Sequence, residues 1–160
     1  MKSIFKFAAM AFAAVAMLTA CNKENPANND GDNDGNTPAA LSIDGKQWTA
    51  AWDAMGGVDC VIDLGVTTPG TLYIAYDASD FGLPGYATYF TGTYTITETD
   101  ATSGVITLTV DGQQAEIPYS NLNENSVAIS FAIAGFDNTE FTPVDTKKAI
   151  FDGMTGEQIQ

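Results

Sequence analysis

The side chains that most often carry out catalysis are scarce in this chain. Its 160 residues include no His, and all six of its basic residues are lysines. A Ser-His-Asp or Cys-His nucleophile and a His-ligated metal are therefore excluded, as is bidentate capture of phosphate by Arg. The 20 Asp and Glu residues give a net charge of −14, which disfavours nucleic acids and anionic membrane surfaces as partners.

Pairs of carboxylates are the catalytic option that remains. Asp59 and Asp63 lie on one face of a predicted strand, so their Cα atoms should be about 13 Å apart, beyond the ~5–9.5 Å of paired glycosidase carboxyl groups. Glu98 and Asp100 are closer in sequence but lie at the end of a predicted hairpin. Because no constellation converges, we expect a protein without enzymatic activity or cofactor. A small carboxylate-dependent hydrolase is the catalytic alternative.

Neither cysteine has the surroundings of a reactive thiol. Cys60 lies on the apolar face of a predicted strand, between Val58 and Ile62. We therefore expect a buried, inert thiol there, since no His is present to serve as its base. The other cysteine, Cys21, lies in an N-terminal segment of a different kind.

Residues 1–20 have the pattern of a secretory signal. Lys2 and Lys6 precede an apolar run that is shorter than the ~20 residues of a membrane span. The run ends in Leu18-Thr19-Ala20-Cys21, which resembles the lipobox of bacterial lipoproteins. The resemblance implies cleavage before Cys21 and a diacylglycerol on its thiol, which would attach the protein to a membrane.

The residues after the cysteine refine this address. Asn22-Lys23-Glu24-Asn25 is similar to the short signal that directs Bacteroidetes lipoproteins to the cell surface. The resemblance implies a lipid-anchored protein on the outer face of the outer membrane. The periplasmic face is the alternative.

Residues 21–40 predict a flexible tether. The segment is rich in Asn and Asp and has no large apolar side chain, so it cannot bury enough surface to offset the entropy of ordering. Asp30, Asp32 and Asp34 match the first half of an EF-hand calcium loop, but Leu41 stands where the bidentate Glu is expected. We therefore interpret the acids as part of the tether, with weak Ca²⁺ association as the alternative.

Residues 41–160 predict one all-β domain. Apolar and polar residues alternate with period two, which indicates antiparallel strands with one face in the core. The alternation is clearest at residues 58–64, 72–76, 93–97, 106–110 and 127–133. Asp111-Gly112 predicts a tight hairpin, and residues 100–104 a longer one that ends in Gly. About eight strands in a small antiparallel meander predict a barrel or, as the alternative, a two-sheet sandwich.

Three sequence features resemble the lipocalin-like domains of Bacteroidetes lipoproteins. They are Gly45-Lys46-Gln47-Trp48 at the domain start, Gly92-Thr93-Tyr94-Thr95-Ile96, and Ile106-Thr107-Leu108. The resemblance spans most of residues 41–142 and implies a barrel. The lipocalin signature has one residue between Gly and Trp where this chain has two, and the Arg that packs on that Trp has no counterpart here.

Aromatic residues in one long connection are the best candidates for ligand binding. Residues 77–90 carry Phe81, Tyr86 and Tyr89 among Gly and Pro, and Trp52 is a further candidate near the domain start. We expect these four side chains to line a barrel mouth that binds a glycan, a small ligand or a partner protein of the outer membrane. The alternative is a structural or adhesive module in which the loop only plugs the barrel.

Overall fold

The structure, a computed structural model, describes residues 41–159. Nine strands account for most of them. They are β1 (Gln47–Trp52), β2 (Val58–Leu64), β3 (Thr71–Asp77), β4 (Tyr86–Asp100), β5 (Ser103–Val110), β6 (Gln113–Ser120), β7 (Val127–Phe131), β8 (Phe136–Pro143) and β9 (Ile150–Phe151).

The first eight strands form a closed antiparallel barrel. Each pairs with the next along the chain, and β1 also pairs with β8 through Trp48↔Pro143 and Thr49↔Thr142, which closes the sheet. The short β9 runs parallel to the start of β4, with Tyr86 opposite Ile150. The prediction of an all-β antiparallel barrel of about eight strands is therefore confirmed, and the sandwich alternative is wrong.

Residues that alternate along a strand point alternately into and out of the barrel. In β5, Ile106 and Leu108 are buried, while Thr107 and Thr109, which follow them, face outward and are partly exposed. Trp48 and Trp52 are both fully buried. Their indole nitrogens donate to backbone oxygens, Trp48 to Ile43 at 3.0 Å and Trp52 to Ala134 at 2.6 Å. The interior is thus apolar, with its buried indole N–H groups satisfied.

A second, smaller core lies on the outer face of β2, β3 and β4. The C-terminal residues 144–159, which we call the strap, cross this face and cover it. The buried members of this cluster are Val61, Tyr73, Ala75, Tyr86 and Ile150. Because the strap covers them, these three strands have apolar residues on both faces.

The turns agree with the sequence in part. Asp111 and Gly112 both have positive φ, 50° and 78°, which confirms the tight hairpin of the primed type. A hairpin also joins β4 and β5 at residues 100–104, but the predicted length of its loop is wrong. Ser103 already pairs with Asp100 across a shift in register, and Gly104 lies within β5. Pro118 lies in β6 where that strand has lost its pairing with β7, as expected for a residue without an N–H.

Strand direction defines two ends of the barrel. The mouth end is formed by the connections at residues 53–57, 78–85, 111–112 and 132–135, and the entry end by residues 41–46, 65–70, 101–102 and 121–126. Three mouth connections contain short 3₁₀ turns, at Asp53–Met55, Ser79–Phe81 and Ala132–Ala134. Within residues 41–159, no helix combines the length and apolar character required to cross a membrane.

Candidate functional site

Exposed apolar side chains are concentrated at the mouth end. Six large apolar residues of the described chain are exposed, and one of them, Leu41, lies where the described chain begins. The other five lie on the mouth connections, on the first residues of β4, or on the strap beside them. We call these five the apolar crown: Met55, Phe81, Tyr89, Ile133 and Met154.

Local backbone geometry turns the crown outward. Met55 and Phe81 each end a 3₁₀ turn that is stopped by a glycine with φ of 81°, a conformation that costs other residues energy. Ile133 lies in the third turn, which also ends at a left-handed glycine. The sequence pattern placed Ile133 on the inner face of a strand, and that expectation is wrong because β7 ends at Phe131.

A β-bulge exposes Tyr89. Across the β3–β4 pair, Ala75 faces Thr88 and Ile74 faces Phe90, so Tyr89 is the extra residue. A bulge re-aims one side chain without ending the sheet. The Tyr89 side chain is consequently 49% exposed although its neighbours in β4 remain paired.

Packed aromatic rings support the crown from below. The ring of Tyr89 lies edge-on to Trp52 at 4.9 Å between centroids and edge-on to Phe90 at 4.8 Å. Phe81, which is 74% exposed, meets Tyr76 edge-on at 6.3 Å. Such contacts hold each ring in a defined orientation before any ligand arrives. Tyr89 and Phe81, the two aromatic members of the crown, are therefore oriented by ring contacts within the domain.

Three of the four aromatic residues predicted for ligand binding lie at the mouth. Phe81 and Tyr89 are exposed there, and Trp52 is buried directly beneath Tyr89. Tyr86, the first residue of β4, lies instead on the outer face of the barrel, where its side chain packs into the outer cluster under the strap. Burial raises the pKa of the Tyr86 hydroxyl, and the nearby Asp59 carboxylate raises it further.

The sequence reasoning missed Met55, Ile133 and Met154. Nothing in the local pattern distinguishes them from core residues, since Met and Ile are usually buried. One signal was available: a glycine directly follows Met55, Phe81 and Ala134, and each of these glycines ends a short turn at the mouth end. Met154 is placed by tertiary contact alone, because the adjacent Gly153 packs closely against the backbone of Thr88.

The residue considered as a catalytic thiol, Cys60, has the surroundings of a core residue. Cys60 is a free, fully buried thiol, as expected. Burial raises its pKa far above the ordinary value, and the Asp59 carboxylate adds to the effect. The described residues contain no cluster of three or more His, Cys, Asp or Glu side chains able to hold a metal. Cys21 and the calcium candidates Asp30, Asp32 and Asp34 lie outside the described residues.

Asp63 is the most heavily hydrogen-bonded carboxylate of the described chain, and the sequence did not predict this. Its side chain is fully buried under the strap. It accepts hydrogen bonds from the Gln47 amide at 2.6 Å, the Val66 N–H at 2.8 Å and the Thr67 hydroxyl at 2.6 Å. The Gln47 amide also binds both backbone groups of Lys148 in the strap. Asp63 therefore joins the barrel, the turn at 65–70 and the strap.

Fold and site together define a class of protein: an antiparallel eight-stranded barrel with exposed apolar side chains concentrated at one end. Comparisons of the chain with protein-family models, with curated proteins and with solved structures give no match.

Proposed function

We propose that this protein is a surface-exposed outer-membrane lipoprotein whose barrel is a non-catalytic binding module. In this proposal Cys21 carries the lipid anchor, residues 22–40 are the tether, and the apolar crown is the binding face for a glycan, a small ligand or a partner protein. The observation that carries the proposal is the placement of the crown, since five of the six exposed large apolar residues within residues 41–159 lie at one end of the barrel.

The energetics of exposure support a binding role for the crown. Apolar surface in contact with water costs about 25 cal/mol per Å² relative to burial, so a folded domain has no stability reason to concentrate it at one end. Apolar surface that is concentrated on one solvent-exposed face marks a site of interaction. The aromatic support beneath Tyr89 also lowers the entropy lost when a ligand orders the surface.

The chain enters the barrel at the end opposite the crown. The described residues begin at Leu41, in the entry-end segment, and β1 runs from there towards the mouth end. Residues that precede Leu41 therefore join the barrel away from the crown.

The state of the carboxylates supports a non-catalytic role. Asp63 is saturated with hydrogen bonds from its own fold, which leaves no oxygen facing solvent for proton transfer. Asp59, its neighbour on the same strand face, is exposed. The two groups therefore lie in different environments and do not converge on one substrate atom.

Two experiments test the proposal separately. Metabolic labelling with palmitate should mark the wild type and not Cys21→Ser, and label retained in the variant would rule out the anchor. For the crown, a glycan array and a panel of small apolar ligands are screened against wild type and the double variant Phe81→Ala, Tyr89→Ala.

The crown experiment has a matched control in Leu41→Ala, which removes an exposed apolar side chain at the entry end. We expect binding to fall at least about tenfold in the double variant, as for hot-spot residues, and to be unchanged in the control. Thermal melting of all three proteins checks that the fold is intact. A ligand bound equally by wild type and the double variant would contradict the assignment of the binding face.

A further inference from the structure

The mouth end carries negative charge and no lysine. Its connections at residues 53–57, 78–85, 111–112 and 132–135 contain three acids and no basic residue. These acids are Asp53, Asp80 and Asp111. Asp137 follows the last connection and is exposed. By contrast, the entry-end connections at 41–46, 65–70, 101–102 and 121–126 contain two acids, Asp44 and Glu124, and one lysine, Lys46.

No lysine lies on the mouth connections or on β4, which carry Met55, Phe81, Tyr89 and Ile133. Lys46 and Lys147 line a hollow at the entry end together with Gln47 and Pro143. The amine of Lys148, on the strap, lies over the ring of Tyr86 on the outer face, 5.7 Å from its centroid. Asp53 and Asp80 thus lie within two residues of Met55 and Phe81 on connections that contain no lysine.

The size of the crown limits what can cover it. An eight-stranded barrel with strands ~4.8 Å apart and tilted by ~40° is about 16 Å across. The crown residues come from three different connections, from β4 and from the strap. A ligand that touches crown residues on opposite sides of the mouth must span most of that width, which equals about five residues of extended peptide. This is more than one sugar ring or one small amine covers.

We propose that the partner of the crown is a protein that presents a basic segment with interspersed aromatic or apolar side chains. Its Lys or Arg side chains would face Asp53, Asp80 and Asp111, and its apolar side chains would pack on the crown. Exposed Tyr89 and Phe81 would add cation–π contacts with the same basic groups. This inference depends on the proposed binding function and names the class of partner for that face.

Complementary charge selects this partner over the other ligands that an aromatic face accepts. A neutral glycan would stack on Tyr89 or Phe81 but would gain nothing from the surrounding carboxylates. An anionic ligand would be repelled by them. A basic segment gains from both, because opposite charges speed encounter and apolar contacts slow release.

The test uses the purified full-length protein and three labelled synthetic peptides of seven residues. The first alternates Lys with Trp or Phe, the second replaces every Lys by Glu, and the third replaces every aromatic residue by Gly. Binding is read by fluorescence anisotropy at roughly 0.05 M and 0.5 M salt. We expect the first peptide to bind at least about tenfold more tightly than the other two, and to weaken at high salt.

Protein variants locate the binding. Phe81→Ala with Tyr89→Ala should raise the Kd of the first peptide at least about tenfold. Asp53→Asn with Asp80→Asn should raise it at least about fivefold at low salt. The matched control, Glu124→Gln with Asp145→Asn, removes the same charge from exposed sites away from the mouth and should change the Kd less than about twofold.

The outcomes separate this inference from the proposed function. Equal losses from the mouth pair and the control pair would show general attraction to an acidic protein and would overturn the basic-partner inference. Equal binding of the acidic peptide would overturn it as well. If a neutral glycan binds with dependence on the crown and the basic peptide does not, the proposed function stands and the basic partner is wrong. If the crown variant alters no binding at all, both proposals fail.

Discussion

Replacing Asp63 by Ala should cost more stability than any other change to an acidic residue of the described chain. The carboxylate is fully buried and accepts hydrogen bonds from groups on two segments, β1 and the turn at 65–70. Without it, the Val66 N–H, the Thr67 N–H and the Thr67 hydroxyl lose their side-chain acceptor. The Gln47 amide keeps one partner, the carbonyl of Lys148 at 3.1 Å.

The magnitude follows from these donors. An orphaned buried donor costs about 1–3 kcal/mol, and Asp63→Ala leaves three partly buried donors without their side-chain acceptor. Asp63→Ala should therefore reduce the free energy of unfolding by about 4 kcal/mol, which is a large share of the ~5–15 kcal/mol that stabilises a typical domain. Asp63→Asn keeps one acceptor but places an NH₂ group near other donors, so we expect a loss of about 2 kcal/mol.

Asp59→Ala is the matched control. Asp59 lies on the same face of β2, four residues before Asp63, but its side chain is exposed. This change should alter the free energy of unfolding by no more than about 0.5 kcal/mol. The comparison therefore isolates burial and hydrogen bonding from residue type, strand and face.

The assay is urea unfolding at neutral pH, followed by the fluorescence of Trp48 and Trp52. Both indoles are buried in the barrel, so their emission should shift to the red when the core opens. The urea midpoint and the slope are fitted together, since an unchanged slope shows that the native state is equally compact. A loss below about 1 kcal/mol for Asp63→Ala, or a loss equal to that of Asp59→Ala, would refute the reasoning, because it would show that water replaces the carboxylate at no cost.

Three further predictions follow from individual contacts. Cys60, whose pKa is raised by burial and by Asp59, should resist alkylation by iodoacetamide in the native protein and react once urea unfolds it; rapid native labelling would contradict its burial. Hydrogen bonds from Ser103 and Thr102 lower the pKa of Asp100 below its ordinary 3.8. This carboxylate therefore favours the folded state above about pH 4 and ceases to do so as the pH falls through its folded pKa. Ser103→Ala should reduce the steepness of acid unfolding below that pH, and an unchanged acid-unfolding profile followed by circular dichroism would count against the contact. Gly92→Ala should destabilise the barrel by more than about 2 kcal/mol, because its Cβ would lie 2.2 Å from the Thr109 carbonyl oxygen. The exposed Thr91→Ala is its control, and similar urea midpoints for the two variants would contradict the close approach.

Much of the strand pattern was predictable because burial in a barrel has the same period as the backbone. Each of the strands β2, β3 and β5 contains an alternating segment that the sequence predicts, and the turn at Asp111-Gly112 requires the positive φ that Asp and Gly tolerate. Cys60 was predicted to be buried by the same alternation. These features depend on residues close together in the chain, so local sequence is enough.

The candidate site was predictable only in part. Phe81 stood out as an aromatic residue among Gly and Pro, and the structure leaves it exposed at the mouth. Tyr86 and Tyr89 looked equivalent in sequence, but Tyr89 is the extra residue of a β-bulge and Tyr86 is paired in the sheet. The bulge exposes Tyr89 at the mouth, whereas Tyr86 is covered by a strap that returns from the end of the chain. No local pattern distinguishes the two residues.

The sequence by itself determined the alternation of the strands, the tight turns and the excess of negative charge, because each depends on residue type and short spacing. Tertiary structure alone decided which strands close the barrel, what the strap covers and which apolar residues form the crown. The closing pair Trp48↔Pro143 joins residues far apart in the chain, and Asp63 is buried where Gln47, which the strap binds, meets the turn at 65–70. The charge likewise acquires a direction only in three dimensions, when connections distant in sequence bring Asp53, Asp80 and Asp111 to the same end of the barrel.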